Sequence, residues 1–209
     1  MYTLYYSPGT ASMVVHLALL ELGVDYRLEL VDLQNRGQHS DAYLKLNPGG
    51  KVPTLLIDDR PVYESGALLI ILAERHPESA LSPPVGTPER DAWLQWVVFL
   101  SNALMSTYRL WFYPDEWAHD ESPSDIRAAV QSKIESVWDR LEAHLSANGP
   151  YLLGSRFSGV DLMLTMLMRW SRNMPRPATD WPALKRLADV VRARPSWKKL
   201  CELEGLTGW

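Results

Sequence analysis

Apolar and polar positions follow two kinds of spacing in the first third of the chain. A β-prone run at 2–6 leads into a Ser-Pro-Gly turn signal, and helical spacing over 12–22 stops at Gly23. The remaining pattern of this part predicts strands at 26–31, 54–57 and 61–63, a short helix at 40–46 and a helix from Ser65 to about His76. The order β-α-β-α-β-β-α predicts a small α/β unit with a mixed sheet.

After position 88 the spacing is helical only. A run over 90–113 is apolar on several faces, which is typical of a helix at the centre of a bundle. Apolar residues recur at helical spacing over 125–147, and Pro182 and Pro195 stand where two shorter helices would start. The sequence therefore predicts an α/β part followed by an all-α part.

A further helix of the all-α part is predicted to begin at a Ser-Gly-Val-Asp box. Ser158 can cap the free backbone N–H groups, and Asp161 can bond back to the cap. Phe157 can pack on Leu162 as a hydrophobic staple. We therefore expect a structural role for both Ser158 and Asp161.

The composition changes where the two parts meet. All nine tryptophans lie at or after Trp93, and the segment 77–88 holds four of the fifteen prolines. Proline interrupts both helices and β-ladders, so this segment is typical of a linker. We predict one domain over 1–78, a linker over 79–87 and a second domain over 88–209.

Composition and charge exclude several classes of protein. The 209 residues are 46% hydrophobic and carry a net charge of −4, a globular balance that does not favour nucleic acid or an anionic membrane. The single cysteine, Cys201, rules out an internal disulfide framework, and the scattered histidines suggest no metal cluster. The start of the chain lacks the features of a signal peptide, and no apolar run reaches about 20 residues. We expect a soluble protein of a reducing cytoplasm, with no metal, nucleic acid or membrane partner.

Four short motifs, in this order, are similar to those of a known family. They are Tyr-Tyr-Ser-Pro-Gly at 5–9, Asn-Pro-Gly-Gly-Lys-Val-Pro-Thr-Leu at 47–55, Glu-Ser at 64–65 and the box at 158–161. Together they resemble the cytosolic glutathione transferases of bacterial type, nearest the beta-like subgroup. The resemblance covers essentially the whole chain. It implies a thioredoxin-like N-terminal domain followed by an all-helical C-terminal domain.

The resemblance also implies where glutathione would bind. Val52 and Pro53 match the family's cis-proline pair, whose outward backbone pairs with the cysteinyl part of glutathione like an added strand. Glu64 would face the γ-glutamyl ammonium, and Ser65 would cap a helix whose free N–H groups take the γ-glutamyl carboxylate. The alternatives are a plain turn proline and a helix cap beside a solvated acid. Arg36 and Lys51 are candidates to bind the glycyl carboxylate. Alternatively, they are ordinary surface cations.

At the thiol site the sequence departs from the beta-like subgroup. Where those members carry a cysteine after the Ser-Pro-Gly turn, this chain has Ala11, so no mixed disulfide can form there. The hydroxyl of Ser12, or that of Thr10, is then expected to stabilise the glutathione thiolate, assisted by backbone N–H groups near Ala11. Ser12 matches the family's hydroxyl position better. Alternatively, Ser12 only caps the first helix.

The second substrate is expected to bind at an apolar, aromatic site. Beta-type enzymes have His-Lys facing the thiol where this chain has Met105 and Ser106, so no ionisable group there assists deprotonation. Unless they are ordinary core residues, the side chains expected to line this electrophile site are Tyr6, Tyr108, Trp111 and Phe112.

The resemblance implies a homodimeric glutathione transferase, with glutathione as co-substrate. Such an enzyme activates the thiol for conjugation to hydrophobic electrophiles, a detoxification reaction. The alternatives are a glutathione-dependent isomerase, dehalogenase or peroxidase on the same fold, since a fold alone does not choose among them. Because Ala11 and Met105 replace two reactive groups of the family, a non-catalytic protein that binds glutathione or a hydrophobic molecule is a further alternative.

Overall fold

The computed structural model describes residues 1–117 and 122–209, which form two compact units. The N-terminal unit comprises 1–82 together with 192–208, and the helical unit comprises 83–191 together with Trp209. The domain limits expected from the sequence, 1–78 and 88–209, differ in where they place the C-terminal segment, and they stay a prediction.

The N-terminal unit contains a four-stranded mixed sheet and three α-helices within residues 1–82. The strands are β1 Tyr2–Tyr6, β2 Tyr26–Leu30, β3 Thr54–Ile57 and β4 Arg60–Tyr63, and the helices are α1 Met13–Leu22, α2 Asp41–Leu44 and α3 Ser65–Arg75. The strand order is β2-β1-β3-β4, with β1 parallel to β2 and antiparallel to β3. The prediction of an α/β domain with a thioredoxin-like mixed sheet is confirmed.

The core of the N-terminal unit is built around β1 and α1. Leu4 of β1 pairs with Leu28 on one side and Leu55 on the other, and both Leu4 and Leu55 are fully buried. All seven residues from Met13 to Leu19 are buried, because α1 contacts β1, α3 and the C-terminal helix. This helix starts directly after the Ser-Pro-Gly turn and so carries that turn at its N-terminus.

The helical unit contains five α-helices in its described residues. They are α4 Pro88–Leu100, α5 Ser106–Phe112, α6 Pro123–Asn148, α7 Gly159–Trp170 and α8 Pro182–Arg192. The prediction of an all-helical part after the linker region is confirmed. The most deeply buried helix is α7, in which every residue from Gly159 to Arg169 is buried.

The long helix expected over 90–113 is divided by a π-helical turn at Ser101–Met105. Hydroxyl groups bond back to carbonyl groups at this point: Ser101 Oγ donates to Val97 at 2.8 Å and Thr107 Oγ1 donates to Ala103 at 2.9 Å. Such back-bonding competes with the regular helical ladder and is a known cause of local distortion. The spacing of apolar residues in this segment does not predict the π-helical turn.

The C-terminal helix, α9 Pro195–Glu204, belongs to the N-terminal unit, where it packs on α1. Two polar clusters connect α9 with α1. Arg194 donates two hydrogen bonds to Glu21, both at 2.7 Å, and Ser196 also donates to Glu21. Burial opposes ionisation of Glu21, but these hydrogen bonds and the charge of Arg194 prevail and lower its pKa. The second cluster centres on Glu204 and is described below.

The N-terminus of α7 depends on one buried carboxylate. Asp161 accepts hydrogen bonds from the backbone N–H groups of Ser158 at 2.8 Å and Leu152 at 2.9 Å, and from Ser158 Oγ at 3.3 Å. Burial raises the pKa of Asp161 to about 7, against the opposing effect of these hydrogen bonds. The carboxylate thus fastens the loop before α7 as well as the helix end.

We expect Asp161→Ala to destabilise the protein substantially. The substitution leaves two buried N–H groups without an acceptor, and each such group costs about 1–3 kcal/mol. Denaturant unfolding measures the loss. Asp189→Ala, which removes an exposed partner of Lys185 on α8, is the control and should change the free energy of unfolding by no more than about 0.5 kcal/mol. Equal effects of the two substitutions would contradict the assigned role.

Candidate active site

The loop before β3 presents an unpaired backbone segment at Val52. Asn47 is buried and shapes the loop, because its Nδ2 donates to the Lys51 carbonyl at 2.8 Å and its Oδ1 accepts from Gly49 N–H at 2.9 Å. Tyr43 Oη donates to the same Lys51 carbonyl at 2.7 Å. The Val52–Pro53 peptide bond is cis. Within the part of the chain that the structure describes, no hydrogen bond is made by the backbone of Val52.

Glu64 and Ser65 meet at the start of α3. Glu64 is exposed and has φ 76° and ψ 111°, a conformation that costs a residue other than glycine about 1–3 kcal/mol. Glu64 is the N-cap residue and Ser65 is already the first helical residue, whereas the sequence suggested Ser65 as the cap. The left-handed φ of Glu64 ends β4 and turns the chain directly into the helix. The Ser65 hydroxyl is therefore free of capping and donates to the Ala11 carbonyl at 2.9 Å.

The turn at 7–12 brings two hydroxyl groups to the Ser7 carbonyl. Thr10 Oγ1 donates to this carbonyl at 2.7 Å and Ser12 Oγ donates to it at 3.1 Å. The two hydroxyl oxygens lie 3.0 Å apart, and Ser12 Oγ also accepts from Ser7 N–H at 3.3 Å. One of the two hydroxyls can turn its proton away from the Ser7 carbonyl and towards a ligand. The cluster stays connected, because the two hydroxyls can hydrogen-bond to each other.

The two candidate hydroxyls differ in accessibility. Ser12 stands at the N-cap position of α1 but is fully buried, and its side chain makes no capping hydrogen bond to the helix. Thr10 and Ala11 are half-buried and so lie nearer the surface. No described residue accepts a hydrogen bond from the Ala11 N–H. The geometry therefore favours Thr10 and the Ala11 N–H over Ser12 for direct contact with a ligand.

Three basic side chains lie in the segments on either side of α2. Arg36 and Lys51 are exposed, and Arg36 has a left-handed φ of 57°. His39 was not singled out from the sequence, yet its Nδ1 lies 2.9 Å from the position that a Cβ on Gly50 would occupy. The imidazole thus covers Gly50, next to Lys51 along the chain. The Gly-Gly pair of the motif at 47–55 is the sequence signal for such a close approach to the backbone.

The aromatic candidates fall into both units. Tyr6 is half-buried in the N-terminal unit, where burial and the charge of Glu204 raise its pKa. In the helical unit Tyr108 is fully buried, which raises its pKa strongly, and it stacks on Phe112 with 5.7 Å between ring centroids. Phe112 is 45% exposed and Trp111 is half-buried. Tyr108 therefore supports Phe112 from the core.

The described residues contain no group of three or more His, Cys, Asp and Glu side chains arranged to hold a metal ion. Nor does any helix within 1–117 or 122–209 have the length and apolar character needed to cross a membrane.

Comparisons with known proteins identify the family. Residues 2–80 match the family described as "Glutathione S-transferase, N-terminal domain", and residues 124–193 match "Glutathione S-transferase, C-terminal domain". Over 205 residues the chain is 31% identical to glutathione S-transferase GstA of Escherichia coli O157:H7, covering 97% of this chain and 98% of the relative. The chain belongs to the glutathione S-transferase family.

Solved structures of the family show the same fold. A glutathione transferase from Methylococcus capsulatus superposes with a TM-score of 0.87 at 34% identity, covering 99% of this chain and all of that one. A homologue from Sulfitobacter, with bound glutathione, gives a TM-score of 0.90 at 28% identity and covers 99% of both chains. The prediction of a bacterial-type glutathione transferase that uses glutathione as co-substrate is confirmed at the level of the family.

Proposed function

We propose that this glutathione transferase binds glutathione along the Val52 backbone and the start of α3, and activates its thiol at the turn 7–12. The observation that carries the proposal is the hydrogen bond from Ser65 Oγ to the Ala11 carbonyl, at 2.9 Å. It joins two segments 54 positions apart in the chain, so the expected γ-glutamyl site and the expected thiol site are neighbours. A tripeptide with a carboxylate at one end and a thiol in its middle needs this proximity.

Each polar group of glutathione has a matching group in the N-terminal unit. The unpaired N–H and C=O of Val52 suit the cysteinyl backbone, and the first N–H groups of α3 suit the γ-glutamyl carboxylate. The exposed carboxylate of Glu64 suits the γ-glutamyl ammonium, as a charge-assisted hydrogen bond. Candidates for the glycyl carboxylate are the basic side chains Arg36, His39 and Lys51.

We expect Glu64→Ala to weaken glutathione binding by about 10- to 100-fold, since a hydrogen bond to a charged group contributes about 1.5–3 kcal/mol. Titration calorimetry with glutathione measures the change. Glu64→Gly separates the two properties of this residue, because glycine tolerates the left-handed φ but lacks the carboxylate. Glu29→Gln, on the edge strand β2, is the control with unchanged affinity. Full affinity in Glu64→Gly would contradict the role of the carboxylate.

Thiol activation is proposed to come from hydrogen-bond donors alone. A free thiol has a pKa near 8.5, and lowering it by about two units requires about 2.7 kcal/mol of preference for the thiolate. A hydroxyl donor to the charged sulfur contributes about 1.5–3 kcal/mol, and the N-terminus of α1 adds about 0.3–1 kcal/mol. The combined range of these contributions includes the required preference. We assign the direct contact to Thr10 and the Ala11 N–H, with Ser12 Oγ holding the Thr10 hydroxyl from behind at 3.0 Å.

We expect Thr10→Ala to raise the pKa of the bound thiol and to lower turnover at neutral pH by at least about tenfold, because one donor to the thiolate is lost. The rise in pKa shifts the pH–rate profile towards higher pH, since a larger pH is needed to form the thiolate. Thiolate absorbance and turnover of a model electrophile are the measurements. Thr10→Ser should restore both, and Ser12→Ala should have the smaller effect. A larger effect of Ser12→Ala would return the role to Ser12, and an active double variant would leave only the backbone.

The second substrate is proposed to be a hydrophobic electrophile whose reactive atom forms a bond with the glutathione sulfur. The aromatic candidates Trp111 and Phe112 of the helical unit, with Tyr108 stacked on Phe112 from the core, support this class of substrate. Phe112 and Trp111 present accessible ring surface at the end of α5. The single cysteine fits the reducing cytoplasm as the proposed location.

A homodimer is proposed from an apolar groove on the N-terminal unit. The groove has a volume of about 430 Å³ and lies between β4 and α3. It is lined by Ile57, Arg60, Pro61, Val62, Ile71 and Arg75. A second copy of the chain is the proposed occupant, which would cover Val62 and Ile71 with apolar surface.

We expect sedimentation equilibrium at micromolar concentration to give twice the 23.8 kDa of one chain. Ile71→Asp should shift this mass towards the monomer, because a charge buried in an interface without a partner is unfavourable. Val85→Asp places the same charge at a site that is 79% exposed and should leave the mass unchanged. A wild-type monomer would contradict the proposal.

A further inference from the structure

A buried carboxylate at the end of α9 lies directly behind the thiol turn. The Glu204 side chain is fully buried and its Oε2 accepts a hydrogen bond from Gly9 N–H at 2.9 Å. Its Oε1 lies 2.8 Å from His16 Nδ1, and His16 Nε2 lies 2.9 Å from Tyr26 Oη. All four residues belong to the N-terminal unit.

This arrangement is an unusual use of a charged side chain. Removing a carboxylate from water is costly unless partners satisfy it, and an apolar side chain of the same volume often serves stability as well or better. Here one oxygen of the Glu204 carboxylate accepts a hydrogen bond from the Gly9 N–H of the turn. Gly9 has φ 73°, in the left-handed region, so the turn adopts a conformation that favours glycine.

We propose that Glu204 is a positioning residue for the transferase reaction. Its hydrogen bond to Gly9 fixes the turn 7–12 so that the Thr10 hydroxyl and the Ala11 N–H point to the glutathione sulfur. The inference rests on the proposed function, because it concerns the same thiol site. Glu204 touches neither substrate and acts only through the turn.

A second polar cluster between the same two helices provides a matched control. Glu21 of α1 binds Arg194 and Ser196, so it also fastens the C-terminal segment to α1. None of its hydrogen-bond partners among the described residues lies in the turn. Loss of Glu21 therefore reports on the docking of α9, and loss of Glu204 reports on docking and on the turn together.

Glutamine can replace Glu204 in this arrangement. Its amide oxygen can accept from Gly9 N–H, and its amide nitrogen can donate to His16 Nδ1 while His16 Nε2–H donates to Tyr26. Glu204→Gln thus keeps the hydrogen bonds and removes the charge. It separates the position of the turn from the electrostatic effect of a carboxylate.

The experiment compares Glu204→Ala, Glu204→Gln and Glu21→Ala with the wild-type protein. Thiolate absorbance gives the pKa of bound glutathione, steady-state kinetics give kcat and KM, and denaturant unfolding gives stability. We expect Glu204→Ala to raise the thiol pKa by about one unit and to lower kcat about tenfold at neutral pH, with the KM for glutathione within about twofold. Glu204→Gln should restore the pKa. Glu21→Ala should lower stability and leave the thiol pKa unchanged.

Three results would overturn the inference. A thiol pKa in Glu204→Ala equal to that of the wild type makes Glu204 purely structural. A Glu204→Gln pKa as high as that of Glu204→Ala shows that the hydrogen bond to Gly9 does not set the thiol pKa, since the loss of a nearby negative charge would by itself lower that pKa. If Glu204→Ala does not fold, Glu204→Leu, which keeps the side-chain volume, takes its place. Its thiol pKa is then compared in the same way with those of the wild type and Glu204→Gln. A wild-type protein that binds no glutathione overturns the proposed function as well, so the two failures are distinguishable.

Discussion

Helix α1 is enclosed by other elements of the N-terminal unit, and most of the candidate site depends on that packing. Its seven buried residues from Met13 to Leu19 contact β1, α3 and α9. Because apolar burial contributes about 25 cal/mol for each Å² removed from water, this packing holds α1 in place behind the turn that precedes it. Two hydrogen bonds also hold the turn, one from Ser65 to the Ala11 carbonyl and one from the Gly9 N–H to Glu204.

The alanine at position 11 limits how the thiol can be activated at the proposed site. With Ala11 in place, the protein cannot form a mixed disulfide there, and no imidazole or ammonium group is expected opposite. The remaining means are hydrogen bonds from a hydroxyl and from backbone N–H groups, whose strength depends on direction. This dependence is the physical reason for the roles proposed for the buried residues Ser12 and Glu204 behind the turn.

One strained backbone position, Glu64, lies where the ligand is expected. Glu64 keeps a left-handed φ that glycine would adopt at lower cost, and its carboxylate stays exposed. A side chain retained in an unfavourable backbone conformation is consistent with a binding role. By contrast, Asp161 of the capping box in the helical unit is fully buried and serves the start of α7.

Local signals in the sequence determined the element order, the mixed sheet, the Ser-Pro-Gly turn and the box at 158–161, because periodicity, turn chemistry and capping act within a few residues. Only the tertiary structure decided that Ser12 is buried, that Glu64 rather than Ser65 is the cap, and that α9 packs on α1. The bond between Gly9 and Glu204 spans 195 positions and leaves no local pattern. A residue's partners across such a distance depend on how whole elements pack, which the spacing of apolar residues does not encode.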